Sequence, residues 1–124
     1  MRRRRARALL GAAFVATGAS HLRFTDAYEA IVPRALPARR ALVHVSGLAE
    51  LAGGAGLIAD RTARPAGLWL VALLAAVFPA NVSMALRADE FTRVPRVLLW
   101  ARLPLQGVFA WAVWRTAVRR PGAR

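Results

Sequence analysis

The sequence predicts an all-α fold, an integral membrane four-helix bundle with a short interfacial helix between helices 1 and 2. Of its 124 residues 57% are hydrophobic, and they gather in long runs that carry almost no charge. The 19 basic residues, all of them arginine, lie mainly between those runs. A bilayer core about 30 Å thick needs about 20 helical residues, so runs of this kind predict spanning helices. No strand-like alternation is present, and a helix satisfies its own backbone hydrogen bonds in lipid.

Four apolar runs give the four helices in chain order. The first has 15 residues with no Asp, Glu or Arg, and the second has 19 residues interrupted only by Glu50. The third has 22 residues with no formal charge, and the fourth has 18 residues broken only by Arg102. With their flanks these runs predict membrane-spanning helices over residues 6–22, 40–59, 66–87 and 96–117, in a single domain that covers residues 1–124.

The first run has an alternative interpretation. A basic start over residues 2–7, a short apolar segment and small residues near Ala19 and Ser20 also describe a secretory signal peptide. Three further spans follow the first run with short connections, and four antiparallel helices close a bundle where three would leave a gap. We therefore expect the first run to be a helix of the bundle.

The longest connection, residues 23–40, predicts the interfacial helix. Thr25 or Asp26 is suited to cap a short helix that runs through Tyr28 to Val32, and Pro33 would then end it. We expect this helix to lie at the membrane surface as a lid.

Arginine counts in the connections predict the orientation of the chain. The N-terminus, the connection at residues 60–65 and the C-terminal tail, which includes Arg124, hold 11 arginines. The other two connections, which include Arg93, hold seven. Basic residues favour the cytoplasmic side, so both termini of this multi-pass protein are expected in the cytoplasm.

The composition also bears on partners and cofactors. The absence of cysteine excludes disulfides, zinc–thiolate sites and iron–sulfur clusters. A net charge of +13 alone would suggest nucleic acid, but arginines gathered at the ends of apolar runs indicate anionic lipid headgroups instead. We therefore expect the bilayer, and with it a membrane protein partner or a second copy of the chain, as partners, and no nucleic acid.

Five polar side chains fall within the predicted spans and form the candidate intramembrane site: His44, Glu50, Asn81, Arg102 and Gln106. Such groups usually face the interior of a bundle and find partners there. Counting about 1.5 Å per residue from the outer ends puts His44 at a depth of about 6 Å, Asn81 and Arg102 at about 9 Å, and Glu50 and Gln106 at about 15 Å.

The depths suggest a contact between two of these groups. We expect an ion pair between Arg102 and Glu50 that bridges helices 4 and 2, with the other three groups lining an outward-facing pocket. The alternative is that the pair only fixes helix register. Gly47 and Gly54 lie beside Glu50 and would let another helix approach closely. In a further alternative Pro104 is the first residue of helix 4, which would leave Arg102 at the interface.

No catalytic residue is predicted. Neither histidine has a metal-ligand companion three or four residues away, so we expect no metal site. A Ser–His–Asp grouping, a phosphate-binding glycine loop and a nucleotide fingerprint are absent from the sequence. No cofactor is predicted on these grounds.

Several short segments resemble the small DoxX-like membrane proteins of bacteria. They are Gly18 to Leu22, Ile31 to Pro33 with Leu36 and Pro37, Val45 to Gly47 with Glu50, Gly53 and Gly54, Phe78 to Asn81 with Met84, and Arg102 to Gln106. The resemblance covers about residues 8–115 and implies a four-helix protein of the bacterial inner membrane. It also implies a link to membrane redox assemblies, although most members of that family have no established activity.

Two functions remain open from the sequence. The first is a non-catalytic bundle or accessory subunit of a membrane assembly, held together by its polar groups. The alternative is a small-molecule site for a quinone or a similar amphipathic ligand, to which Arg102, His44 and Gln106 would donate hydrogen bonds. Convergence of the five groups on a cavity would favour binding. Four helices without internal repeats fit a transporter less well.

Overall fold

A computed structural model describes residues 2–91, 94–120 and 122, and the regular structure within them is helical, which confirms the all-α prediction. The helices are α1 (Arg2–Arg23), α2 (Thr25–Ile31), α3 (Arg39–Ile58), α4 (Ala63–Leu86) and α5 (Arg96–Val113). A 3₁₀ turn, Ala88–Glu90, follows α4, and a π-helical turn, Trp114–Val118, continues α5. Arg93 and Arg124, which entered the arginine counts, lie outside the described residues.

Three helices are long and apolar enough to cross a membrane. They are α3, α4 and α5 with its π-helical turn, and their ends fall within a few residues of the predicted spans. Helix α1 is not among these three, because it begins at Arg2 rather than near residue 6 and so carries the N-terminal arginines in its first turns. Arginine is a good helix former, so the basic run extends the helix instead of preceding it.

The short helix expected in the connection at residues 23–40 is present as α2, but its start differs from the prediction. Neither Thr25 nor Asp26 caps it, since Phe24 takes the cap position and no side chain bonds there. The Thr25 hydroxyl instead donates to the carbonyl oxygens of His21 and Leu22, at 2.9 and 3.0 Å. This bond ties α2 back to the last turn of α1.

Helix α5 begins where the apolar run predicted. Pro95 precedes its first turn, as suits a residue that lacks a backbone N–H donor. The alternative start at Pro104 is therefore wrong, because Pro104 lies inside α5 and Arg102 is helical.

The helices pack in sequence order around a small core. Helix α1 packs along α3, α3 against α4, and α4 against α5 and the π-helical turn. The main core combines buried side chains of α1, α3, α4 and the end of α5; they are Phe14, Leu57, Ala66, Leu70, Val113, Ala117 and Val118. The start of α1, the α3–α4 connection and the end of α5 lie together, because Arg3 Nε donates to the Thr116 carbonyl and Arg7 Nε to the Leu57 carbonyl.

Glycines set the close approach of α1 and α3, which run antiparallel. A Cβ atom placed on Gly11 would lie 2.6 Å from the carbonyl oxygen of Gly54, and one on Gly18 would lie 2.6 Å from that of Gly47. The prediction that Gly47 and Gly54 admit another helix is confirmed. Since these neighbours are backbone atoms, side chains larger than hydrogen would push the helices apart.

The three long apolar helices bury little of their own surface. Only 28% of the apolar stretch of α3, and 17% of those of α4 and α5, is buried. Large side chains such as Val97, Trp111 and Trp69 are more than half exposed. This surface is compatible with a multi-pass membrane protein, whose apolar side chains face lipid.

Candidate functional site

The five polar residues predicted to form one site are distributed over separate contacts. Glu50 meets a residue of α1, His44 meets a residue of α2, and Asn81 and Gln106 meet each other between α4 and α5. Arg102 makes no hydrogen bond or ion pair with the residues that the structure describes.

The expected ion pair between Arg102 and Glu50 does not form in the described residues. The Glu50 Oε2 atom instead lies 3.2 Å from Nδ1 of His21. Arg102 acts on this carboxylate only through space. The prediction failed because matching depths do not specify which side of a helix faces which neighbour, and α3 turns this carboxylate toward α1.

Glu50 is incompletely satisfied in this position. The Nδ1 hydrogen of His21 is donated to the Thr17 carbonyl oxygen at 2.7 Å, so the contact with Glu50 is an ion-pair contact without a hydrogen bond. The buried Oε2 atom has no hydrogen-bond partner in the described chain. A carboxylate oxygen buried in this way lowers stability, which a bonded one would not.

Residues that the sequence interpretation missed surround His21. The Tyr28 ring stacks on the imidazole with ring centroids 4.0 Å apart, and its hydroxyl bonds to Ser20 Oγ at 2.7 Å. Ser20 in turn donates to the Thr17 carbonyl oxygen at 2.6 Å. The spacing of four between Thr17 and His21, which puts both on one face of α1, was the available signal.

His44 links α3 to α2. Its Nε2 atom lies 3.3 Å from Thr25 Oγ1, whose hydrogen is already donated to backbone carbonyls of α1, so the imidazole is the donor. Together with the Tyr28 stack on His21, this bond fixes α2 against both long helices. The contact is therefore suited to hold α2 in place.

Asn81 and Gln106 join α4 to α5. Asn81 Nδ2 donates to Gln106 Oε1 at 2.5 Å, and Gln106 Nε2 donates to the carbonyl oxygen of Leu74. Gln106 is buried. The pair fills the hydrogen-bonding capacity of the Gln106 amide oxygen and one of its two N–H groups, which is what a polar tie between two apolar helices requires.

Two cavities of the described chain lie at opposite ends of the helices, and none of the five residues lines either of them. The first, of about 400 Å³, lies among arginines where α1 begins. The second, of about 690 Å³, lies between α2 and the segment after α4, beside Phe24, Ile31 and Phe91. The criterion set by the sequence, convergence of the polar groups on a cavity, is not met at either place.

Comparison with known proteins identifies one family. Residues 10–117 match the family described as a domain of unknown function, DUF8561. No curated protein and no solved structure matches the chain.

The family match corrects the resemblance drawn from the sequence. Membership of the DoxX-like proteins is wrong, because the family that the chain matches over most of its length is a different one. The short segments that suggested it, such as Phe78 to Asn81 and Arg102 to Gln106, combine proline with polar residues inside apolar helices. Such combinations arise wherever helices pack closely in lipid, so they do not identify a family.

Proposed function

Because the chain belongs to this family, a domain of unknown function (DUF8561), we propose its role from geometry. It is a non-catalytic four-helix membrane bundle that serves as an accessory subunit of a membrane assembly. Helices α1, α3, α4 and α5 are its four spans, and α2 is its interfacial helix. We do not extend the proposal to a particular membrane, since placement in the bacterial inner membrane rested on the DoxX-like resemblance alone.

The observation that carries the proposal is the use of polar side chains as ties between neighbouring helices. His21 and Glu50 link α1 to α3, and Asn81 and Gln106 link α4 to α5. The Trp69 indole adds a bond from α4 to the Ala49 carbonyl of α3, at 3.0 Å. Hydrogen bonds of this kind hold membrane helices in register, where apolar contacts alone give little direction.

The distribution of charge supports an orientation with both termini in the cytoplasm. The arginines of the α1 start, the α3–α4 connection and the end of α5 lie at one end of the molecule, where Arg3 reaches Thr116 and Arg7 reaches Leu57 and Asp60. Four crossings return the chain to its starting side, which the positive-inside rule assigns to the cytoplasm.

Single cysteines test this topology without background, because the chain has none of its own. We expect an impermeant thiol reagent to label Ala35→Cys in intact cells, since Ala35 is exposed in the α2–α3 connection. Arg5→Cys and Arg61→Cys should be labelled only after the membrane is opened. Labelling of Arg5→Cys in intact cells, or a shielded Ala35→Cys, contradicts the four-span arrangement.

The functional part of the proposal is tested by what copurifies with the chain. Protein purified in mild detergent is expected to contain no quinone or other small molecule in one-to-one amount by mass spectrometry. A stoichiometric small molecule that is lost in Arg102→Ala but kept in Arg115→Ala, whose guanidinium lies over the Trp111 ring, would overturn the proposal in favour of a binding site.

A further inference from the structure

The cavity at the start of α1 is lined by an unusual concentration of positive charge. Three pieces of chain meet there: the first two turns of α1, the start of α4 with the preceding connection, and the end of the π-helical turn. The arginines that line it are Arg3, Arg4, Arg7, Arg64, Arg119 and Arg120. Asp60 is the only acidic residue of the lining.

Two of these arginines are held in place by the backbone. Arg3 Nε donates to the Thr116 carbonyl at 2.9 Å, and Arg7 Nε donates to the Leu57 carbonyl at 2.7 Å. The Arg7 side chain is 12% exposed. These bonds orient both guanidinium groups while leaving N–H donors of each unused, since arginine has five. The wall of the cavity is thus organised before any ligand arrives.

The remaining charge is not neutralised within the described chain. Asp60 is shared between Arg4, at 2.8 Å, and Arg7. Arg64 and Arg120 line the same cavity and form no ion pair or hydrogen bond with the described residues. One carboxylate cannot balance the six guanidinium groups around the cavity, so the cavity favours a further anion.

We propose that this cavity binds a phosphate group, either that of an anionic lipid headgroup or that of a soluble phosphate compound. Guanidinium forks match the oxygens of phosphate and form charge-assisted bonds with them. Its volume of about 400 Å³ can hold such a group. The site goes beyond the proposed function, because it exists whether or not the bundle has a protein partner.

Two double variants separate this site from a general attraction of basic residues to anionic surfaces. Arg64→Gln with Arg120→Gln removes two charges that line the cavity. Arg2→Gln with Arg61→Gln removes two charges from the same end of the molecule that do not line it. None of these four side chains bonds to a described residue, so we expect both variants to fold as the wild type does.

Binding of phosphatidylglycerol is measured by native mass spectrometry in detergent, with phosphatidylcholine as the uncharged-headgroup control. We expect the wild type and the Arg2/Arg61 variant to bind one phosphatidylglycerol with similar affinity. The Arg64/Arg120 variant should bind it about tenfold or more weakly. An equal loss in both variants, or no saturable binding by the wild type of either this lipid or phosphate, overturns the proposal.

Inorganic phosphate distinguishes the two sources of the ligand. Its effect on thermal unfolding is measured in lipid-free detergent, where the cavity has no headgroup to compete. Stabilisation by phosphate that disappears in the Arg64/Arg120 variant identifies a soluble phosphate compound as ligand. Lipid binding without such stabilisation identifies a headgroup, and either result supports the site.

Discussion

Gly54→Val is expected to lower the free energy of unfolding by about 3 kcal/mol, because it separates α1 from α3. A Cβ atom at this position would lie 2.6 Å from the Gly11 carbonyl oxygen and 2.8 Å from the Val15 nitrogen. Both are backbone atoms of α1, which cannot rotate away as the end of a side chain could. The helices must therefore move apart, and the close contact of Gly18 with Gly47 loosens with them.

The matched control is Gly107→Val in α5. A Cβ atom on Gly107 meets nothing within 4 Å, and the residue is exposed. Because valine forms helix more readily than glycine, we expect stability unchanged or higher by a few tenths of a kcal/mol. Reversible unfolding in mixed micelles of mild detergent and dodecyl sulfate, followed by circular dichroism, measures both variants. Equal unfolding midpoints for the two would show that the glycine contact does not hold α1 to α3.

The sequence was sufficient for the long helices and insufficient for how they meet. Runs without charge predicted α3, α4 and α5 because lipid demands about 20 apolar residues for each crossing. The same reasoning placed the start of α1 too late, since a charge-free run marks the extent of the apolar segment and not the first helical residue. The seven-residue spacing of Gly11 and Gly18 repeats that of Gly47 and Gly54, and comparing the two spacings would have paired α1 with α3.

The candidate site was predictable in its members and not in its contacts. Apolar flanks identified Asn81 and Gln106 as intramembrane groups, and the structure brings these two together despite a difference of about 6 Å in their estimated depths. Depth counting assumes straight, untilted helices and short side chains, and two amides bridge the difference. It also contains no rotation about the helix axis, which is why Glu50 was assigned to Arg102 instead of His21.

His21→Leu is expected to cost about 2–3 kcal/mol of unfolding free energy, and less than about 1 kcal/mol when Glu50 is already glutamine. Buried ion pairs that lose one partner cost about 3–5 kcal/mol, because the remaining charge stays buried alone. Here the two side chains remain 16% and 17% exposed, so we expect a value somewhat below that range. Glu50→Gln removes the charge with little change of shape and should itself leave stability unchanged or raise it.

The comparison of the two backgrounds isolates the contact of His21 with Glu50. Loss of the Tyr28 stack and of the bond to the Thr17 carbonyl accompanies His21→Leu in both backgrounds, so these costs cancel in the double-mutant cycle. Leu99→Ala, in a separate buried cluster, should cost the same in both. If His21→Leu costs the same in both as well, the carboxylate gains nothing from the imidazole, and this polar pair is not a tie between α1 and α3.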